Sequence, residues 1–184
     1  IKNLSEFKNK EISSLTVCIL DRPRHKKIID ELKDLNVNTK LISDGDVLGV
    51  LYVSDPKYNV DMFMGIGGGP EGVLAASALD SYECHFQGRF IFDNEKDIQQ
   101  ANSMGIKDLD KKYGLSEIVK GDSIFCATGI TDSSFIKGIT FDQDKYISET
   151  LITHKNTNYK QLVKNVNSIN EWFLFLVKIG SNVK

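Results

Sequence analysis

The chain has 184 residues, which is the usual length of one domain and is enough to bury its own core. With 26% charged residues and a net charge of −2, it lacks the basic excess that binds nucleic acid or an acidic membrane surface. No apolar run approaches the length of a membrane span, and the first residues are too polar for a signal peptide. We therefore expect a globular protein with neither nucleic acid nor membrane as a partner.

The three cysteines are Cys18, Cys84 and Cys126, and their spacing is not that of a metal or redox motif. Cys18 and Cys126 lie in apolar, strand-like runs, so we expect buried and reduced thiols. This cysteine usage fits a reducing compartment, and we expect the protein to be cytoplasmic.

Along the chain, residues 3–11 are mostly polar and are taken as a lead-in. Short apolar, β-rich runs predict strands at 15–20, 37–43 and 60–66. Apolar residues at helical spacing predict helices at 28–35 and from 70 to about 79, and the apolar run 47–53 is also predicted as a helix. Beyond them we predict a β-like run at 84–92, helices at 94–104 and 116–119, and a buried strand at 123–127.

The pattern changes after residue 132. Residues 135–141, 146–154 and 159–166 predict successive, antiparallel strands with polar turns between them. The segment 171–184, which contains Trp172, is too apolar for a free tail and is expected to pack on the body or on a partner.

Strand and helix alternate four times before the antiparallel strands. This order predicts an α/β fold, a mostly parallel sheet with helices on both faces, extended by antiparallel C-terminal strands. In such sheets ligands bind where the carboxyl ends of the strands meet the loops. Four polar clusters follow predicted strands and are expected at one edge: Arg22 with Arg24, Asp44 with Asp46, Gly67 to Glu71, and Thr128 to Asp132.

The most informative stretch is Gly65-Ile66-Gly67-Gly68-Gly69-Pro70-Glu71-Gly72. Glycines at a strand end let backbone N–H groups approach a ligand, and Pro70 suits the first turn of a helix, whose amides favour anions. Glu71 would repel a phosphate there unless a cation lay between them. The pattern therefore predicts an anion loop with a metal at its edge. A glycine-rich turn with a helix-capping glutamate is the alternative.

The other polar residues also have two interpretations. Arg22 and Arg24 can bind phosphate or lie in solvent, and Asp44 and Asp46 can hold sugar hydroxyls or a divalent cation, or cap a helix. His25 could carry a proton, although a histidine on the surface of a helix is the commoner outcome. His85 and His154 look structural. Thr128 to Asp132 could donate hydrogen bonds or form an ordinary turn. Chemistry alone predicts a phosphate-ester site with a divalent cation nearby.

Five motifs resemble one known family in their order and spacing. They are Asp21-Arg22-Pro23-Arg24-His25, Asp44-Gly45-Asp46, the glycine-rich stretch through Val73, Gln87-Gly88-Arg89, and Ala127-Thr128-Gly129-Ile130-Thr131. The family is class II fructose-1,6-bisphosphatase of the GlpX type, and the resemblance covers residues 15 to about 153. It implies the lithium-sensitive phosphatase-like fold, and an enzyme of sugar-phosphate metabolism and gluconeogenesis.

The resemblance also implies an activity and a set of site residues. The reaction is hydrolysis of the 1-phosphate of fructose 1,6-bisphosphate with Mg²⁺ or Mn²⁺, with sedoheptulose 1,7-bisphosphate as a possible second substrate. Identical chains are expected to associate. The residues implied to line the substrate are Arg22, Pro23, Arg24, Asp44, Gly45, Asp46 and Gly68. Glu71 is implied to bind metal.

The family's other acidic metal ligands lie in an N-terminal half that has no counterpart in this sequence, which begins at Ile1. We therefore expect residues 1–184 to form a single domain, the C-terminal substrate-binding half, with no catalytic residue of its own and with incomplete activity. The alternative is a non-catalytic or vestigial module that binds sugar phosphates.

Overall fold

The computed structural model describes residues 1–169, which divide into two compact units, residues 1–123 and the described residues from 124 onwards. The predicted apolar segment 171–184 lies outside the described residues. That the whole chain forms one domain stays a prediction. Within residues 1–169, no helix is long and apolar enough to cross a membrane.

The first unit contains six α-helices and five strands among its described residues. Its helices are α1 (Lys2–Lys8), α2 (Lys26–Asp34), α3 (Asp46–Gly49), α4 (Gly69–Asp80), α5 (Glu95–Ser103) and α6 (Leu115–Ile118). Its strands are β1 (Thr16–Leu20), β2 (Asn38–Ile42), β3 (Met62–Phe63), β4 (Gln87–Gly88) and β5 (Tyr113–Gly114). Short 3₁₀ helices span Ile12–Ser14, Pro23–His25, Val50–Ser54 and Pro56–Tyr58.

A three-stranded parallel sheet forms the centre of this unit. The strand order is β2-β1-β3, so β1 has a parallel neighbour on each side. The four residues 17–20 of β1 are almost completely buried, because the strand lies between two others and both faces are covered. The predicted parallel sheet is therefore confirmed for these three strands, although β3 is shorter than predicted.

One face of the sheet packs on α1 and α2. Val17 pairs with Met62 in the register of β1 and β3, so both side chains point to the same face. There Val17 belongs to a buried cluster with Leu32 of α2, and Leu4 of α1 packs against that cluster. The lead-in assigned to residues 3–11 is thus partly a helix that covers this face.

The opposite face packs on α3. Cys18 pairs with Phe63, and both point away from Val17 because side chains alternate along a strand. A methyl group added at Gly49 of α3 would lie 2.8 Å from Ile42 and 3.0 Å from Phe63, so α3 approaches this face closely. Burial raises the pKa of the Cys18 thiol to about 11, partly opposed by the charge of Lys40. Cys18 is therefore buried, as predicted, and its raised pKa keeps the thiol protonated at neutral pH.

Two further predictions in this unit need correction. The run 47–53 is helical, but it is α3 followed by a 3₁₀ helix. The β-like run 84–92 contributes only the two residues of β4, which pair antiparallel with β5. The predicted helices near 94–104 and 116–119 are confirmed as α5 and α6.

The second unit contains an antiparallel sheet built around one long strand. Its strands are β6 (Ile124–Thr128), β7 (Thr140–Asp142), β8 (Lys145–His154) and β9 (Tyr159–Ser168). β8 pairs with the other three strands. The three predicted antiparallel strands are confirmed, with the first shortened to 140–142.

The strand at 124–128 is where the predicted topology is wrong. β6 pairs antiparallel with β8 and does not extend the parallel sheet of the first unit. Its side chains alternate, with Phe125 buried and Ile124, Cys126 and Thr128 exposed. The prediction that Cys126 is buried is therefore wrong, because an apolar run in a one-sided sheet still exposes every second residue.

Candidate phosphate-binding site

Three polar clusters lie at the same edge of the parallel sheet. Arg22, Pro23 and Arg24 follow the end of β1, and the loop from Asp44 to Asp46 follows β2. The glycine-rich loop follows β3 and leads into α4. Parallel strands end at one edge, so these three predicted clusters meet there, as expected for a ligand site in an α/β sheet.

The fourth predicted cluster, Thr128 to Asp132, follows β6, which is a strand of the antiparallel sheet and not of the parallel one. Its polar groups bond within its own unit. The Gly129 amide donates to the Glu149 carbonyl at 3.0 Å, and the Asp132 carboxylate accepts from the Gly138 amide at 2.9 Å. This geometry is that of an ordinary, tightly closed loop.

A pocket of about 410 Å³ lies at the carboxyl edge of the parallel sheet. Its lining combines side chains from all three loops with the backbone of the glycine-rich loop. The lining residues are Arg24, Asp46, Ile66, Gly67, Gly68 and Glu71. Of the predicted site residues, Arg24, Asp46, Gly68 and Glu71 are thus brought together around one space.

Two of the residues that line this pocket, Asp46 and Glu71, carry carboxylates. Glu71 lies in the first turn of α4 and folds back over Gly68, where an added methyl group would overlap with Oε2 of Glu71. A methyl group added at Gly67 would lie 3.9 Å from Oδ2 of Asp46 and 4.0 Å from Cβ of Glu71. Both carboxylates therefore approach the glycine backbone. Any side chain at position 68 would force the carboxylate of Glu71 to move.

The N-terminus of α4 opens at the same place. Gly68 precedes the helix with extended backbone angles, φ −70° and ψ 158°, and no side chain caps this end. The first amides of a helix have no partner inside the helix, and the helix dipole makes this end favourable for an anion. Pro70 lies in the first turn, where its missing N–H costs no helical hydrogen bond.

The two arginines have different surroundings. Arg24 donates from Nε to the Ile66 carbonyl oxygen at 2.6 Å, which leaves its two terminal nitrogens for a ligand. Arg22 lies 3.9 Å from the carboxylate of Asp44, whose side chain is 93% exposed. A long, solvent-exposed ion pair of this kind contributes little to stability, so Arg22 and Asp44 are free to exchange partners when a ligand binds.

The loop after β2 is turned sharply at Gly45. Its φ of +81° lies in the left-handed region that glycine adopts without strain. The turn ends in α3, and Asp46 occupies the first position of that helix. This short turn brings Asp46 to the pocket and leaves Asp44 on the outside of the loop.

His25 is completely buried, so the prediction of a surface histidine is wrong. Its ring bonds to the backbone of Leu20 and of Ile66, the residue between Gly65 and Gly67. Sequence reasoning missed Ile66 as a site residue. The available signal was that Ile66 is the one residue with a side chain in the stretch 65–69.

The residues around the pocket include oxygen ligands for a divalent cation, but only a few. Within the described residues, no group of three or more His, Cys, Asp or Glu side chains could hold a metal ion. Asp46 and Glu71 nevertheless offer oxygen ligands at one pocket, and Mg²⁺ takes one or two carboxylates together with waters and substrate phosphates. The chain's own residues therefore fit a cation as part of its ligand set.

Carboxylates, guanidinium groups and a helix N-terminus at the ends of parallel strands form a site typical of proteins that bind phosphate esters. Comparison with known proteins makes the assignment specific. Residues 1–169 match the model of the bacterial, glpX-encoded fructose-1,6-bisphosphatase family, and the chain belongs to this family.

Curated relatives agree with this assignment. The chain is 32% identical to a protein of Trichodesmium erythraeum over 93% of the chain, and 33% identical to one of Synechocystis over 90%. It is 34% identical to a protein of Prochlorococcus marinus over 83% of the chain. Each relative is named D-fructose 1,6-bisphosphatase class 2/sedoheptulose 1,7-bisphosphatase. The chain spans about half the length of these relatives, 53%, 52% and 50% respectively.

Proposed function

We propose that this protein supplies the substrate-binding part of a metal-dependent phosphoric monoester hydrolase that removes the 1-phosphate of fructose 1,6-bisphosphate. Sedoheptulose 1,7-bisphosphate, which the names of the relatives include, is the proposed second substrate. Cytoplasmic location, association of identical chains and a role in gluconeogenesis stay predictions.

One observation carries the proposal: Arg24, Asp46 and Glu71 surround a single pocket together with the glycine backbone. These residues follow three different strands and are far apart in sequence. Membership of a fructose-1,6-bisphosphatase family supports fructose 1,6-bisphosphate as the phosphate ester proposed for this pocket.

The charges of this edge support the requirement for a cation. Arg22 and Arg24 carry positive charge, whereas Asp44, Asp46 and Glu71 carry negative charge. Carboxylates close to a phosphate repel it, although solvent reduces the repulsion between exposed charges. A divalent cation between phosphate and carboxylate turns the repulsion into attraction, so substrate and cation are expected to bind cooperatively.

Each group then has a defined role. Arg24 donates from its terminal nitrogens to the phosphate, and Arg22 adds a second guanidinium when it leaves Asp44. The first amides of α4 donate to phosphate oxygens at Gly68. Asp44 and Asp46 accept hydrogen bonds from sugar hydroxyls, positioned by the turn at Gly45.

Glu71 is the proposed metal ligand of this chain, and Mg²⁺ or Mn²⁺ is the proposed ion. When bound, the cation would stabilise negative charge at phosphorus and lower the pKa of a bound water. In this proposal the chain positions the substrate, and Glu71 is the residue that we assign to the cation. We assign no residue of the chain as acid, base or nucleophile.

The proposal is tested in the complete hydrolase to which this substrate-binding part would belong. Release of inorganic phosphate from fructose 1,6-bisphosphate is measured with Mg²⁺ or Mn²⁺ varied, for wild type and Glu71→Gln. The amide keeps the shape of Glu71 but removes its charge, so the cation concentration needed for half-maximal activity should rise by about 10-fold or more. Glu95→Gln is the matched control, because Glu95 is an exposed glutamate in the first turn of α5. It removes the same favourable charge at a helix N-terminus without touching the pocket.

Equal metal dependence for wild type and Glu71→Gln would contradict the metal role and leave Glu71 as a capping residue. Binding of the bisphosphate by wild type without phosphate release would favour the non-catalytic module instead. Failure to bind any sugar bisphosphate, with or without cation, would overturn the proposed substrate class.

A further inference from the structure

His25 connects two of the three loops that form the pocket. Its Nδ1 lies 2.8 Å from the carbonyl oxygen of Leu20, the last residue of β1. Its Nε2 accepts a hydrogen bond from the Ile66 amide at 2.8 Å. The side chain is completely buried between these partners. The ring therefore joins the end of β1 to the glycine-rich loop that follows β3.

The two partners define the state of the ring. A carbonyl oxygen can only accept, so Nδ1 must carry a hydrogen, whereas the Ile66 amide can only donate, so Nε2 must be free of one. Both ring nitrogens of His25 are thus bonded to backbone. Because neither nitrogen faces the pocket freely, this geometry does not suit the proton carrier considered from the sequence.

Both backbone polar groups of Ile66 are held by consecutive residues. His25 accepts from its N–H, and Arg24 donates from Nε to its carbonyl oxygen at 2.6 Å. The Ile66 carbonyl oxygen also lies 3.1 Å from Nε2 of His25, so the peptide groups on both sides of Ile66 lie against the ring. No other residue between Gly65 and Gly69 carries a side chain.

A loop of this composition needs an anchor. Glycine loses more conformational freedom on ordering than any other residue, at about 1–2 kcal/mol or more of backbone entropy each. If the loop were ordered only when substrate arrived, this cost would be subtracted from substrate affinity. An anchor at Ile66 orders the loop beforehand and holds Gly68 and Glu71 at the pocket.

We propose that His25 is a positioning residue for substrate binding, which fixes the glycine-rich loop through the Ile66 amide. The sugar bisphosphate in this inference rests on the proposed function, whereas the anchoring of the glycine-rich loop by His25 does not. It predicts that loss of the bond to Ile66 weakens substrate binding, even where the fold is retained. The effect should appear mainly in KM rather than in kcat, because His25 does not touch the reacting atoms.

Two substitutions distinguish the hydrogen bond of His25 to Leu20 from its hydrogen bond to Ile66. In His25→Asn the side-chain amide nitrogen takes the place of Nδ1, so the bond to Leu20 is kept and that to Ile66 is lost. In His25→Gln the amide oxygen reaches about as far as Nε2, so acceptance from Ile66 can be kept. His85→Gln is the control, because His85 is exposed and its ring contact is with Phe7.

The measurements are hydrogen exchange of the Ile66 amide and thermal unfolding, together with KM and kcat for fructose 1,6-bisphosphate in the same complete hydrolase. We expect His25→Asn to speed Ile66 exchange and raise KM, each by about tenfold, the equivalent of one hydrogen bond of roughly 1.4 kcal/mol. In His25→Gln the Ile66 exchange rate and KM should both return close to their wild-type values, and His85→Gln should change neither quantity. Equal KM values for wild type and a folded His25→Asn, or equal effects of Asn and Gln, would overturn the proposal.

One measurement does not depend on any variant. In wild type without ligand, the Ile66 amide should exchange more slowly than the neighbouring Gly67 and Gly68 amides. Equally fast exchange at all three would show that the anchor does not exist, even if both His25 variants fail to fold. If wild type binds no bisphosphate, the proposed function fails, while slow Ile66 exchange would still support the anchor.

Discussion

The carboxylate of Glu71 lies directly over the backbone of Gly68, so that even one methyl group at position 68 would overlap with it. The two residues are separated by only a turn of chain, yet one precedes α4 and the other lies inside it. Gly68 therefore does more than permit a turn. It leaves the space in which the proposed metal ligand rests.

Gly68→Ala should displace Glu71 while leaving the fold almost unchanged. The backbone angles of Gly68 are allowed for alanine, and the overlapping atom is the end of a flexible side chain, so the main cost is a poorer N-cap of about 0.5–1 kcal/mol. The cation concentration for half-maximal activity should rise about tenfold. Gly69→Ala is the control, since nothing lies within 4 Å of the added methyl group there. Identical metal titrations for both variants would contradict the role of this space.

Arg24→Ala should weaken binding of the sugar bisphosphate by about 10- to 100-fold, because a charge-assisted hydrogen bond to phosphate is lost. Arg24→Lys should recover only part, since lysine keeps the charge without the planar fork. The dependence of affinity on salt should also become shallower in the alanine variant. Lys26→Ala is the control, because it removes an equal charge nearby from an exposed side chain. Equal losses of affinity for Lys26→Ala and Arg24→Ala would mean that the total positive charge near the site matters, and that Arg24 makes no specific contact with phosphate.

Asp61→Asn should destabilise the first unit in a pH-dependent way. Burial alone would raise the pKa of Asp61, but hydrogen bonds from Lys10, Lys8 and the Thr16 amide outweigh it and lower the pKa to about 2. The side chain is only 4% exposed and joins the end of α1 to the sheet. A lowered pKa means that the charged form stabilises the fold above the unfolded value of 3.8.

The contribution of Asp61 should therefore be fully present at neutral pH and disappear as the pH falls from about 4 to about 2. We expect Asp61→Asn to cost about 1–2 kcal/mol near pH 7 and almost nothing near pH 2. Urea unfolding of both proteins across this range measures the difference. Asp30→Asn, at an exposed ion pair within α2, should show no comparable loss. A difference that stays constant down to pH 2 would show that the charge is not what stabilises this contact.

Gly138→Ala should destabilise the second unit by about 1–3 kcal/mol. The added methyl group would lie 2.6 Å from the Thr131 carbonyl carbon and 2.7 Å from the Asp132 amide nitrogen, and backbone cannot move aside cheaply. Gly72→Ala, with nothing within 4 Å, should be neutral or stabilising. Hydrogen exchange of β6 and β8 amides reports on this unit directly. Unchanged protection in Gly138→Ala would show that the loop tolerates a side chain.

Much of the parallel sheet was predictable because its strands are short apolar runs and its polar loops follow them directly. The same reasoning failed at β6, where an apolar run of equal length belongs to an antiparallel sheet. An apolar run in the sequence predicts that the side chains of a strand are buried, but it does not predict which neighbouring strand forms hydrogen bonds with it. Only the pairing of β6 with β8 decides its direction.

The candidate site shows the same limit at His25. Its position beside Pro23, Arg24 and Lys26 is typical of a solvent-exposed helix start, and the sequence has no sign of its burial. The ring is buried because the loop after β3 returns to β1, a contact between residues 41 positions apart. Arg24, Asp46 and Glu71 were easier to place, because a loop at a strand end needs no such long-range information.

The central claim is that a sugar bisphosphate binds at the carboxyl ends of β1 to β3, between Arg24 and Glu71. Mapping of backbone amide shifts by NMR, with fructose 1,6-bisphosphate and Mg²⁺ added together and then Mg²⁺ alone, tests it most directly. We predict shifts concentrated at residues 22–24, 44–46 and 66–72, larger with both additions than with Mg²⁺ alone. Saturable binding with shifts confined to β6 to β9, or no shift at residues 66–72, would contradict it.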